Sequence, residues 1–195
     1  MPKPRLRLLN RDEIKIIHEA SLKVLEDVGV KIESQRAIEA LKSMDAIVEG
    51  NVVKIPSSLV EWSLNKVPHR ITLYDRDGKL FRVLGGGNTF FNPGSAAVKI
   101  LDYEKQIVRS PTLDDLKRFA ILVDALEFIE AQSTALVPSD VPMEVRDRVR
   151  LFPILKYSSK PIVTGAFSVD GLLDMIKILN VVVSDLSKKP IAIFD

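Results

Sequence analysis

Two Lys-Pro dipeptides, Lys160-Pro161 and Lys189-Pro190, each open a short apolar run, and they stand 29 residues apart with the apolar stretch SVDGLLDMIKILNVVV between them. That interval is the period of a strand–helix unit, and it constrains the fold more than any other feature of the chain. The runs KPIVTGAFS and KKPIAIFD are too apolar for strands with one wet face, so they belong to a parallel sheet covered by helices, with right-handed crossovers. Upstream, TLDDLKRFAILVDAL predicts an amphipathic helix capped by Thr112 and Asp115, FIEAQSTALVP a strand, and about Pro142 to Tyr157 a helix kinked at Pro153. With Thr89–Phe91 as first strand and Ile191–Phe194 as fourth, the α/β pattern fits an open doubly wound sheet or about the first half of a (β/α)8 barrel. A fourth strand without a helix to cover it leaves an apolar face exposed, so the expectation is an incomplete barrel.

The preceding residues follow other periods. NRDEIKIIHEASLKVLEDVG places Ile14, Ile17, Val24, Leu25 and Val28 on one helical face, with Asn10 and Glu13 as a capping box and Gly29 at the end. A second helix is expected from Ser34 to Met44, a small hairpin over Ile47–Ile55 turning at Gly50-Asn51, and a third helix capped by Ser58 and Glu61 that stops before Pro68. RITLYDRDGKLFRVL then alternates as a hairpin with a type I′ turn at Asp77-Gly78, and Ala97–Arg109 as another. Three segments result: a helical lead-in with a small hairpin over 1–69, a hairpin layer leading into the first barrel strand over 70–110, and βα units over 111–195.

The stretch RVLGGGNTFFNPGS holds four of the nine glycines, yet it is a poor phosphate loop. No Gly-Lys-Ser/Thr follows Gly87, and a dinucleotide fingerprint starting at Gly85 meets Phe90 where it needs glycine. Glycines that turn the chain from the hairpin layer into a strand account for it better. Asn92, Pro93, Gly94 and Ser95 then fall at a strand's C-terminal end, where barrels place their ligands. By the same logic Gln132, Thr134, Thr164 and Asp195 are candidate pocket residues, with core hydroxyls bonded to backbone as the alternative for the two threonines. Asp140 reads as the N-cap of the helix that follows it, and Arg146, Arg148 and Arg150 as an outer helix face.

Charge and composition narrow the class further. Twenty-eight basic against 26 acidic residues, with no long block of either sign, point away from nucleic acid. There is no cysteine, and two isolated histidines, His18 and His69, lack metal-ligand spacing, so no metal site is expected. No apolar run approaches the roughly 18 residues of a membrane span, and the basic N-terminus has no apolar core of a signal peptide, so a cytoplasmic protein is expected.

The order of LNRDEIKIIHEASLKVLEDVGVKIES, VVKIPSSLVEWSLNKVPHRITLYDRDG, LGGGNTFFNPGS, SPTLDDLKRFAILVDAL and LVPSDVP resembles the trimethylamine methyltransferase family, which also includes betaine-type quaternary amine methyltransferases. The resemblance runs through essentially the whole chain. It implies the N-terminal part of a TIM-barrel enzyme that moves a methyl group from a small methylated amine to the cobalt of a corrinoid protein. The cobalamin would be carried by that partner and not bound directly. It also implies a fragment inactive by itself, because family members are far longer. The alternative is a non-catalytic half-barrel that dimerises, or binds a partner, to complete the barrel. No catalytic residue carries over. Tentative substrate contacts are Asn92, Ser95, Gln132, Thr164 and Asp195, with Phe90, Phe91 and Phe167 as aromatic neighbours for an onium group.

Overall fold

The computed structural model describes residues 6–195, which divide into two compact units, one up to Pro68 and the other from His69 to Asp195. In the first, helix α1 (Arg11–Lys23) starts on the expected capping box: Asn10 Oδ1 accepts from Glu13 N at 2.9 Å, and Glu13 Oε2 accepts from Asn10 N at 2.7 Å. The helix runs on into a π-helical turn, Val24–Val28, and ends at Gly29, whose φ of 81° and closeness to Val53 O (2.7 Å from an ideal Cβ) admit no side chain. Strand β1 (Val30–Lys31) follows, then α2 (Gln35–Lys42), β2 (Ile47–Glu49) and β3 (Val52–Lys54), in an antiparallel sheet of order β1-β3-β2. The Gly50-Asn51 turn is as expected, with Gly50 at φ 62° in the first central position of a two-residue loop. Ile38, Ala46 and Val53 form the small core, whereas no residue of α1 is buried.

Helix α3 (Ser57–Lys66) corrects the expected cap. Its N-cap is Pro56, without a side-chain bond; Ser58 lies inside the helix, and Glu61 accepts from His18 Nε2 at 2.7 Å instead. Pro56 at ψ 143° already ends the extended segment and leaves Ser58 two positions too late to cap.

The second unit opens with the hairpin β4 (Ile71–Tyr74) and β5 (Leu80–Leu84). Its turn is not the expected type I′. Asp75 O accepts from Gly78 N, Asp75 N donates to Lys79 O, and only Gly78 (φ 75°) is left-handed. These bonds define a three-residue type I loop with a glycine bulge, favoured by Asp75 Oδ1, which takes the N–H of Lys79 at 2.8 Å. A second hairpin, β6 (Ile100–Asp102) and β7 (Ile107–Arg109), leads to α4 (Leu113–Ala125). Thr112 and Asp115 form the expected capping box, and Asp115 also takes Arg109 Nη1 and Nη2 at 2.6 and 2.8 Å. That guanidinium, with the Thr112 bonds, holds the Asp115 carboxyl well below the usual carboxylate range.

Next come β8 (Gln132–Ser133), a 3-10 turn at Met143–Val145, α5 (Arg146–Tyr157), β9 (Ile162–Thr164), α6 (Val169–Val182) and β10 (Ala192–Phe194). The three strands are parallel and lie in chain order, with Gln132, Ile162 and Ala192 in register. Leu116 and Ala120 of α4, Leu151 and Ile154 of α5, and Met175 of α6 are fully buried against them. Each large apolar side chain so covered contributes about 1.5–3 kcal/mol. Among the described residues the fold is thus α/β with four small sheets, none of which closes into a barrel.

The strand expected at Thr89–Phe91 does not form. Phe91 O accepts from Glu130 N and Ala131 N, and Ala97 makes a parallel bridge to Leu136, so the segment follows β8 at both ends. Between them Pro93 offers no donor, and Gly94 (φ 85°) and Ala96 (φ 57°) turn left-handed, which interrupts the ladder. At the other end of the strands, Tyr74 N donates to Pro190 O and Arg76 N to Ser159 O, so the first hairpin sits where β9 and β10 begin.

Candidate functional site

The strand ends converge on a buried cation. Arg150, on α5, is 1% exposed, and its Nη2 donates to Thr134 Oγ1 at 3.1 Å and to Gly165 O at 3.3 Å. Thr134 and Thr164, both fully buried, share a hydrogen bond of 2.8 Å between their hydroxyls. Arg150 Nε and Nη1 are buried and have no partner. The guanidinium carbon lies 4.5 Å from the centre of the Phe167 ring, which is half exposed. Burial lowers the Arg150 pKa, opposed by the charges of Asp147 and Asp195.

Two carboxylates flank this cation without bonding to it. Asp147, 2% exposed, accepts from Arg148 N at 2.8 Å and from Phe167 N at 3.2 Å. Gly171, in the first turn of α6, makes room for it: a Cβ there would lie 1.8 Å from Asp147 Oδ2. Asp195 follows β10, donates its N–H to Thr164 O at 3.0 Å, and brings Oδ1 to 3.0 Å from where a Cβ of Gly165 would stand. A cleft of about 270 Å³ opens beside these groups, lined by Ala166, Phe167, Ser168, Val169, Phe194 and Asp195.

Of the residues singled out in the sequence, Thr164 and Asp195 come together here. Gln132 does not join them, because it opens β8 and its Nε2 donates to Ala120 O of α4 at 3.0 Å. Asn92 Oδ1 accepts from Gly94 N at 2.9 Å in a local turn, and Gly94 O in turn accepts from Ser133 Oγ. Ser95 is exposed beside them, and Phe91 is 61% exposed with its carbonyl held by the β8 segment.

Arg150 overturns the outer-face expectation for the three arginines. Arg146 donates to Val141 O, Arg148 pairs with Asp174 at 2.5 Å, and Arg150 is enclosed. The period carried the signal: Asp147, Arg150, Leu151, Ile154 and Leu155, all buried, recur at i, i+3, i+4, i+7 and i+8. Asp140 is corrected as well, since its Oδ1 accepts from Leu113 N, the first residue of α4, and not from its own helix. Among the described residues, no three His, Cys, Asp or Glu side chains gather as a metal site requires, and no helix is long and apolar enough to cross a membrane.

Comparison with known proteins supplies the lineage. A glycine betaine methyltransferase of Desulfitobacterium hafniense (strain Y51) is 29% identical over 194 residues, which is 97% of this chain and 40% of that protein. The trimethylamine methyltransferase MttB of the same species (strain DSM 10664 / DCB-2) is 32% identical over 171 residues, covering 87% of this chain and 34% of the relative. A proline betaine:corrinoid methyltransferase of Eubacterium limosum is 28% identical over 152 residues, or 76% and 31% of the two. The chain therefore spans at most 40% of the length of these relatives. Residues 1–190 match the family described as trimethylamine methyltransferase (MTTB), and the chain belongs to that family.

Proposed function

We propose that the chain is the N-terminal part of an enzyme that transfers a methyl group from trimethylamine or a betaine-type quaternary amine to the cobalt of a separate corrinoid protein. The family match over residues 1–190 carries this reading. One relative's name joins a betaine to a corrinoid, and the others name trimethylamine and glycine betaine. The partner's reduced cobalt would supply the nucleophile, and no nucleophile is needed from this chain. Its own groups would hold an onium substrate in line at the strand ends and keep water from it. Asp195, Phe167 and Phe194 are of the kind that does so, a carboxylate and two aromatic rings around one cleft.

The incomplete barrel belongs to the same proposal. Parallel strands in chain order, with the 91–97 segment beside β8, have the singly wound sequence of a (β/α)8 barrel and no strand-order reversal of a doubly wound sheet. The test is methylation of a corrinoid protein in its reduced state, followed by the cobalt absorption spectrum, with trimethylamine, glycine betaine and proline betaine in turn. The expected result is no transfer by the 195-residue chain alone and transfer once the C-terminal portion of a relative is supplied. A normal rate from the isolated chain would refute the fragment reading, and no transfer by any complemented form would refute the function.

A further inference from the structure

We infer that Arg150 is a carboxylate-binding residue, and that the ligand it selects is a small zwitterion with the carboxylate at Arg150 and an onium group at Asp195. The ligand's identity rests on the methylated-amine reading, whereas the carboxylate site does not. Of the five N–H donors of a guanidinium, Nε contributes one and Nη1 two, and these are the ones buried without a partner. A buried donor left unmade is costly, and a cation 1% exposed with unused donors calls for an acceptor. Asp147 does not supply it: its oxygens accept from Arg148 N and Nε and from Phe167 N, and neither bonds to Arg150. Thr134 Oγ1 and Gly165 O meet Nη2 and neither Nε nor Nη1.

The surrounding charge selects the acceptor. Asp147 and Asp195 both act on Arg150, so a dianion such as phosphate would be repelled, while a single carboxylate carrying its own cation would not. Asp195 is exposed and lines the cleft with Phe167 and Phe194, which suits a methylated ammonium group. The Phe167 ring lies over the guanidinium and also lines the cleft, so a ligand in the cleft would reach the cation only if this half-exposed ring turned aside. At about 270 Å³ the cleft lies just under the roughly 300 Å³ at which small-molecule pockets begin, a size for a ligand of few atoms. Among methylated amines this favours those with a carboxylate over trimethylamine.

The test is the Nε–H resonance of Arg150 in a ¹⁵N-correlation spectrum of the 195-residue chain, identified by its loss in Arg150→Lys. Sodium acetate, glycine betaine, trimethylammonium chloride and sodium chloride are titrated at equal ionic strength. The expected result is a saturable downfield shift with acetate and betaine and none with the two chlorides. Asp195→Asn should weaken betaine several-fold and leave acetate unchanged or tighter. An unresponsive resonance, or an equal shift with chloride, overturns the site. A response to acetate without one to betaine upholds the carboxylate site and counts against the methylated-amine reading.

Discussion

Asp115→Ala offers the sharpest test of how the second unit is held together. Asp115 closes the capping box of α4 and takes two hydrogen bonds from Arg109, with its side chain 15% exposed. Loss of the reciprocal cap costs about 1 kcal/mol, and loss of the carboxylate's charge-assisted bonds about 2 kcal/mol more. The sum is about 3 kcal/mol, which at a urea dependence of about 2 kcal/mol per molar moves the unfolding midpoint down by roughly 1.5 M. Asp114→Ala is the control: its carboxylate, 55% exposed, pairs with Arg118 one turn on, and about 0.5 kcal/mol is at stake. The same carboxylate predicts an acid limb. Its folded pKa lies below the unfolded value, so its contribution is complete above about pH 4 and is lost as pH falls through the folded pKa. The wild-type midpoint should hold between pH 7 and about 5 and decline below about 4, and Asp115→Asn should flatten that decline. A loss under about 1 kcal/mol, or equal effects at 114 and 115, would refute the assignment.

Two further substitutions probe particular contacts. Gly171→Ala gains helix propensity of about 1 kcal/mol but forces a methyl onto the enclosed Asp147 carboxylate; net destabilisation by roughly 1–3 kcal/mol is expected in thermal unfolding, and a higher melting temperature would show that Asp147 moves freely. Lys160→Met removes the ammonium that binds the carbonyls of Val123, Leu126 and Ile129 at 2.6–2.7 Å beyond and within the end of α4; a loss of about 1–3 kcal/mol is expected, and a neutral effect would mean that water replaces the lysine.

The sequence was most legible where one local rule acted alone. Asn10 with Glu13 and Thr112 with Asp115 cap their helices as their spacing predicts, and the Lys-Pro pairs do begin neighbouring parallel strands. It misled where two local rules competed. Pro56 and Ser58 both had claims on the start of α3, and Asp75 drew the turn away from Asp77-Gly78. Asp140 caps a helix that precedes it by 27 residues, which only tertiary structure brings within reach. The candidate site was half visible. Strand-end position found Thr164 and Asp195, but Arg150 was hidden because a charged residue on a helix is ordinarily at the surface, and only its place beside Leu151 and Ile154 told otherwise. Val30–Lys31 is too short for any alternating pattern, and its strand exists only because β3 lies opposite.

The broken segment beside β8 sets the terms on which this sheet can grow. A twofold axis running along the strands would complete a ring from two copies only by seating β10 of one against the outer edge of 91–97 in the other. That edge has a proline and two left-handed residues within four positions, Pro93 to Ala96, and cannot offer an evenly spaced row of donors and acceptors. A twofold perpendicular to the sheet would instead join β10 to β10 running in opposite directions, which closes no parallel ring. The two margins of this sheet are therefore poorly matched for parallel pairing with each other, and a ring closed by a second copy would meet a broken ladder at 93–96.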